Sequence, residues 1–254
     1  MKTICLACVI YTLTDTDPSQ NLYINIFYQW LAMLIKNGGL TKDDMLHIYM
    51  DDETIKYLNT TKTVFHDIIP KLPCDFEIIE FKQPETHLQG KMNKYAMNEY
   101  SQDIYLYCDI NHKIVNSLHS IDSILNENSM YFFTISLLNN TDFEISKLPQ
   151  APAFSSSIFI IVGKELRDTF FNRINALCDY TTTYSSVDEP FFNKAIYEIP
   201  RDVVSININL LGEYIRPDTS LIHSKIIFNY IISDHGIFDS FIKISDTLSF
   251  ELIR

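Results

Sequence analysis

The residues best suited to chemistry lie between Asp103 and Val115, in the stretch DIYLYCDINHKIV. A strand-like apolar run, Ile104 to Cys108, ends at Asp109, and Asn111 follows two residues later. Open α/β sheets bind ligands in the crevice outside the carboxyl ends of their strands, so side chains there meet solute. An i, i+2 pair at a strand terminus can aim two oxygens at one hard cation. Asp109 offers a carboxylate. Asn111 offers a carbonyl oxygen without charge, so the expected metal affinity is lower than for two carboxylates. Asp and Asn also favour turns after strands, and on local sequence that alternative stands beside the site.

The elements around this pair follow from hydrophobic periodicity and stop signals. Thr3 to Thr12 reads as a buried strand, and Leu22 to Lys36 as a long apolar helix stopped by Gly38 and Gly39. Met45 to Met50 is a second strand, running into the acidic Asp51-Asp52-Glu53 at the start of a short helix, where acidic residues suit the dipole. Phe76 to Phe81 is a third strand, Lys91 to Tyr100 a helix, and Ile104 to Cys108 the fourth strand. Beyond it come a helix over Ile114 to Leu125, a strand over Met130 to Ile135, and a loop or edge hairpin over Leu137 to Ala153. A strand over Ser157 to Val162 and an amphipathic helix over Lys164 to Cys178 follow. Glu189 to Tyr197 is a helix with Pro190 in its first turn, where proline is tolerated. Strands over Val203 to Leu210 and Lys225 to Ile232 precede a short helix from Ile237. This β-α-β rhythm predicts an α/β fold, a mostly parallel twisted sheet flanked by helices. No linker or repeat divides the chain, and residues 1–254 read as a single domain.

Composition excludes several classes. A length of 254 residues with 46% hydrophobic and 20% charged residues suits a soluble globular protein. The net charge of -12 argues against nucleic-acid binding, which needs clustered Lys and Arg. It permits a small anionic ligand, because a metal or a few lysines reverse the sign locally. With only 6 Gly, no dinucleotide or P-loop glycine motif exists, so bound phosphates must be neutralised by a cation or side chains. The 5 Cys, an odd count at scattered spacings, fit a reducing, cytoplasmic compartment better than a disulfide framework. Cys5 and Cys8 form a C-x-x-C, but residues three apart on a strand face opposite sides and cannot share a metal. The opening MKTICLACVIY imitates a signal peptide; a first buried strand is the stronger reading, because no small-residue cleavage site follows. No stretch reaches membrane-spanning length.

Several segments in order resemble the GT-A glycosyltransferases, in particular the family 8 group. DIYLYCDIN resembles that family's YLDxD segment, with Asn in place of the second Asp. The helix GKMNKYAMNEY precedes it, APAFSSSIFII stands where the family has an FNxG strand, VDEPFFNKAIY resembles DQxxLN, and IIFNYIISDHGIFDSFIKI resembles the closing HFxGxxG…K segment. The Ile-, Asn- and Lys-rich composition suits an AT-rich genome such as that of a large DNA virus, which would set the protein in a host cytoplasm.

The resemblance implies a GT-A, Rossmann-like sheet with a nucleotide-sugar-binding half (1–128) and a smaller acceptor-binding half (129–254). It implies transfer of a hexose from a nucleoside diphosphate sugar, a UDP-sugar foremost, to a hydroxyl on a glycan, protein or small molecule. A divalent cation, Mn²⁺ or Mg²⁺, would bridge the donor phosphates as a Lewis acid. Asp109 and Asn111 would hold it, with Asn229 at the place of the family's histidine ligand and His235 as a nearby substitute. Lys91, just after Gly90, would contact ribose or phosphate near a helix start, and Lys243 a phosphate. Tyr11, Thr12 and Thr14 would cradle the base, with Asp51 and Asp52 bonding base or ribose. Asp188 would act on the acceptor side, as general base in an inverting enzyme, supported by Asn193. Local sequence equally offers Asp188 as an N-cap. A degenerate protein that binds or slowly hydrolyses nucleotide sugars, and a non-enzymatic α/β module, are the alternatives.

Overall fold

Alternation along the first strand decides the layering. Strand β1 (Ile4–Ile10) sends Ile4, Leu6, Cys8 and Ile10 to one face and Cys5, Ala7 and Val9 to the other, and all seven are buried. A strand apolar on both sides belongs in a sheet covered by helices on both faces. The computed structural model, which describes residues 1–60, 64–114, 116–135, 153–181, 187–199, 207–214, 220–222 and 225–230, has this three-layer arrangement. Cys5 and Cys8 lie on opposite faces, as strand geometry requires.

The chain continues through helix α1 (Leu22–Asn37), β2 (Met45–Asp51), α2 (Asp52–Thr60), α3 (Val64–Ile68) and β3 (Asp75–Phe81). Then follow α4 (His87–Met92), β4 (Ile104–Cys108), β5 (His112–Ile114), β6 (Ser129–Ile135) and β7 (Ala153–Val162). Helices α5 (Lys164–Leu177) and α6 (Glu189–Glu198) precede β8 (Asn207–Tyr214), β9 (Ser220–Ile222) and β10 (Lys225–Tyr230). The main sheet has 7 strands in the order β3-β2-β1-β4-β7-β6-β8. Only β7 runs against its neighbours; β3, β2, β1 and β4 are mutually parallel, and β8 is parallel to β6. The expected α/β, mostly parallel sheet flanked by helices is therefore what forms.

From β1 the chain moves outward to β2 and β3, then crosses back to place β4 on the other side of β1. The direction of winding thus reverses between β1 and β4, and the carboxyl ends of these neighbours open a crevice there. Asp109 sits at that point, with its N–H continuing the β4–β7 ladder to the Ser157 carbonyl at 2.8 Å. The chain then turns, His112 N–H bonding the Asp109 carbonyl at 3.1 Å. Strand β5 leaves the turn for a second sheet of 3 strands, ordered β5-β10-β9. The turn that local sequence offers after β4 is therefore formed.

One face of the sheet is covered by α1, whose Phe27, Trp30, Leu31 and Leu34 are buried against β1, β2 and β4. The other face carries α4, α5 and α6 over an aromatic layer in which Tyr105 and Tyr107 of β4 meet Phe159, Phe171 and Phe192. Tyr107 stacks on Phe159 with centroids 5.2 Å apart, which fixes the ring that reaches the site. Helix α6 is tied to β7 by Asn193, whose Oδ1 accepts the Phe154 N–H at 2.7 Å and whose Nδ2 donates to the Phe154 carbonyl at 2.9 Å. Asn193 is 2% exposed, so Asn193→Leu leaves two buried backbone groups unmet and lowers stability by about 2–4 kcal/mol. Urea unfolding reads this directly; a midpoint unmoved from wild type would refute it.

Three expected elements differ. Lys91–Tyr100 is not one helix: α4 begins at His87, and a 3-10 turn over Asn93–Tyr95 ends it. A capping box sets the earlier start, Thr86 accepting from Gln89 N–H while the Gln89 side chain accepts from Thr86 N–H. Ile114–Leu125 is the end of β5 followed by a 3-10 helix over Leu118–Ile124. Strand β7 starts at Ala153, inside the expected loop. The expected strand from Val203 is described only from Asn207, and the helix from Ile237 lies outside the described residues. No described helix is long and apolar enough to cross a membrane.

Candidate active site at the switch point

A cavity of about 530 Å³ opens at the carboxyl ends of β1 and β4. Its walls are Val9 to Leu13 at and just beyond the end of β1, Gln20 to Tyr23 around the start of α1, His87 and Lys91 of α4, and Asp109 to Asn111 after β4. Alternation along β4 explains why Asp109 faces α4. Tyr105, Tyr107 and Asp109 share the face on which Leu88 and Met92 pack.

Asp109 is 7% exposed and bound at both oxygens. Lys91 Nζ lies 2.7 Å from Oδ2, and the Tyr107 hydroxyl donates to Oδ1 at 2.5 Å. Burial pushes this carboxyl up, but the Lys91 and Lys94 charges and the two hydrogen bonds outweigh it and hold it down at about 2. Burial acts on the Lys91 ammonium in the opposite sense, and the Asp109 charge overrides it, so Lys91 stays protonated. Charge-assisted bonds of this length are among the stronger ones available to side chains.

Lys94, one turn on from Lys91, is fully buried. Its Nζ is 2.7 Å from Asp188 Oδ2 and 2.8 Å from the Ser156 carbonyl, and it lies 4.9 Å from the centroid of the Tyr107 ring. The Tyr95 hydroxyl donates to the same Asp188 oxygen at 2.6 Å. The two candidate lysines therefore separate: Lys91 lines the cavity, and Lys94 closes an internal ion pair beneath it. Lys91 is in the last turn of α4 and not at its start, so the helix-dipole argument for an anion there fails.

The remaining expected residues divide the same way. Tyr11 lines the cavity; its hydroxyl is 3.1 Å from His87 Nδ1, and its ring lies against Gly90. A Cβ at Gly90 would stand 2.6 Å from that ring, so only glycine admits this approach. Thr12 lines the cavity and is anchored by its N–H to Asp51 Oδ2 at 2.9 Å, with its Oγ1 2.8 Å from Thr54 and from Asn21 Nδ2. Asp51 is fully buried, its other oxygen accepting the Thr54 N–H at 3.0 Å. It positions Thr12 and does not reach the cavity. Asp52 accepts the Gln83 N–H at 2.8 Å, and exposed Thr14 donates its N–H to the Pro84 carbonyl at 3.0 Å; neither lines the cavity.

Asp188 stands at the N-cap position of α6, yet its side chain makes no capping bond there and is spent on Lys94 and Tyr95. It is 3% exposed and does not line the cavity, although its neighbour Val187 does. Asn193 is equally internal. Asn229 lies in β10, its backbone in register with Lys113, which brings the C-terminal strand beside the Asp109 turn. His235 and Lys243 lie outside the described residues.

Divalent-cation binding can be tested against these side chains. The Asp109 oxygens already accept from an ammonium and a hydroxyl, and Asn111 adds only a neutral oxygen. Among the described residues, no group of three or more His, Cys, Asp or Glu side chains is arranged to hold a metal. As they sit, Asp109 and Asn111 do not fit a divalent cation unless Lys91 swings away.

Sequence reading missed Gln20, Asn21, Tyr23, His87 and Val187 as cavity residues. The available signals were Asn21 before an apolar helix, where its Oδ1 caps the Tyr23 N–H, and the Thr86–Gln89 spacing that places His87. Val187, with a φ of 58°, gives no local signal, because β-branched residues seldom adopt that conformation.

No family model matches this chain, and no curated protein does. Among solved structures it is similar to the apo-form glycosyltransferase GlyE of Streptococcus pneumoniae TIGR4, at 10% identity and a TM-score of 0.49 over 78% of this chain and 44% of that one. The chain thus spans less than half the length of that protein.

Proposed function

We propose that the chain is a glycosyltransferase that moves a hexose from a UDP-sugar to a hydroxyl acceptor. One observation carries the reading: a cavity of about 530 Å³ at the β1/β4 switch point, with a lysine in its wall and Tyr11 and Thr12 at its edge. That position is where open α/β sheets take nucleotides, and the volume falls within the range of small-molecule sites. In this reading Lys91 meets the diphosphate, Tyr11, Thr12 and the α1 entry meet the nucleoside, and the sugar points toward Asn111 and Val187. The geometry and the order of the GT-A-like segments support it together.

A second reading, donor binding with slow hydrolysis and no transfer, is favoured by Asp188. A general base must reach the proton it removes, and this carboxylate is buried against Lys94 and Tyr95. Release of UDP from a panel of UDP-hexoses, with and without sugar acceptors, separates the two. Transfer predicts release that accelerates with an acceptor and disappears in Asp109→Ala. Acceptor-indifferent release supports hydrolysis, and no release from any donor contradicts both.

Gly90→Ala gives an independent check. The new methyl group forces the Tyr11 ring off α4 and into the cavity. UDP affinity should fall about tenfold by calorimetry while thermal stability changes by less than about 1 kcal/mol, since alanine favours the helix. Unchanged affinity would remove Tyr11 from the binding surface.

A further inference from the structure

We propose that the chain binds its nucleoside diphosphate without a divalent cation, the Lys91 ammonium held by Asp109 supplying the positive charge that a metal would bring. The inference rests on the nucleotide reading above and specifies how the phosphates are met.

The geometry at Asp109 carries it. Lys91 Nζ lies 2.7 Å from one carboxylate oxygen and the Tyr107 hydroxyl donates to the other at 2.5 Å, so the carboxylate is already held by a cation that would repel a metal. The Lys91 side chain is 26% exposed and lines the cavity, so it is buried enough to be held and open enough to touch a ligand. An ammonium has three donors. One goes to Asp109, and among the described residues no other acceptor takes the remaining protons.

Charge arithmetic agrees. A divalent cation on two carboxylates presents no net charge to a ligand beyond what its exposed face supplies. An ammonium on one carboxylate presents the same sum. Position 111 carries a neutral amide and position 91 a cation, so Lys91 and Asp109 sum to no net charge. Beneath them Lys94 and Asp188 neutralise each other and leave that balance unchanged. A cation at Asp109 would stand beside the Lys91 ammonium, and the two positive charges would compete for one carboxylate.

Calorimetry of the intact protein with UDP, in EDTA and again in Mn²⁺ or Mg²⁺, tests the inference. The expected result is binding in EDTA, with the dissociation constant changed by less than about twofold on adding metal. Lys91→Met should weaken UDP binding in EDTA by at least about tenfold, as loss of a charge-assisted phosphate contact requires. Electron paramagnetic resonance of Mn²⁺ should show no ion taken up by the wild type without nucleotide. The double variant Lys91→Ala/Asn111→Asp should gain a site. Binding that appears only with Mn²⁺ overturns the inference and leaves the nucleotide reading standing. Binding of UDP under neither condition overturns the nucleotide reading itself. Should Lys91→Met fail to fold, the wild-type comparison with and without EDTA still decides.

Discussion

The Lys94→Met variant should unfold with about 3–5 kcal/mol less free energy than the wild type. Lys94 is fully buried, and among the described residues its compensating charge at contact distance is Asp188, 2.7 Å away and itself 4% exposed at the side chain. Removing the ammonium leaves a carboxylate in an aromatic layer formed by Tyr95, Tyr107, Phe159 and Phe192. It also strands the Ser156 carbonyl, which receives its hydrogen bond from Lys94 at 2.8 Å. The double variant Lys94→Met/Asp188→Asn should recover at least half of the loss, because the amide keeps an acceptor for the Tyr95 hydroxyl and no charge remains. Urea unfolding of the four proteins forms the cycle. Additive losses would mean that the two residues do not act as a pair.

The second large effect concerns Asp109 and depends on pH. Its folded pKa is about 2 against an ordinary value of 3.8, so the folded state holds the ionised form more tightly than the unfolded state does. A depressed carboxyl stabilises above its unfolded pKa and loses that contribution as pH falls through its folded pKa. The contribution is about 2–3 kcal/mol, because the group is nearly buried and each tenfold change in its acidity is worth about 1.4 kcal/mol. Asp109→Asn should therefore cost that amount at pH 7 and progressively less between about pH 4 and pH 2, where the wild-type carboxylate protonates. Denaturant titrations of both proteins across this window check the sign. A difference that stays constant with pH would mean that Asp109 is not held by Lys91 and Tyr107.

What could be read from the residues was set by how local the information was. Strands β1, β2 and β4 were legible because both faces of each are buried, which leaves a largely apolar run. Ile114, Leu118, Ile121 and Leu125 recur at helical spacing and so read as a helix. All four are indeed buried, but through a strand end and a 3-10 helix. Periodicity reports which residues turn inward, and it does not report the partner that makes 112–114 a strand, which is β10, more than a hundred residues later. The reversed direction of β7 was equally hidden, since alternation is the same read either way.

The site divides along the same line. Asp109 and its turn were visible at the end of an apolar run, and Tyr11 and Thr12 at the end of another. The separation of Lys91 from Lys94 was not visible, because it depends on Asp188 and Ser156 arriving from the second half of the chain. Asp51 and Asn193 carry the residue types of a binding site, yet their polar atoms are used to fasten Thr12 and Phe154. Long-range hydrogen bonds decide whether a buried polar group serves the fold or a ligand.

We propose that the β1/β4 cavity is a nucleoside diphosphate site with Lys91 as its phosphate contact. A crystal structure of the protein grown with UDP in EDTA tests it most directly. The diphosphate should lie within hydrogen-bonding distance of Lys91 Nζ, the uracil beside Tyr11 and Thr12, and Asp188 should stay paired with Lys94. Nucleotide bound elsewhere, or phosphates held by Asp109 and Asn111 through a metal with Lys91 displaced, would contradict it.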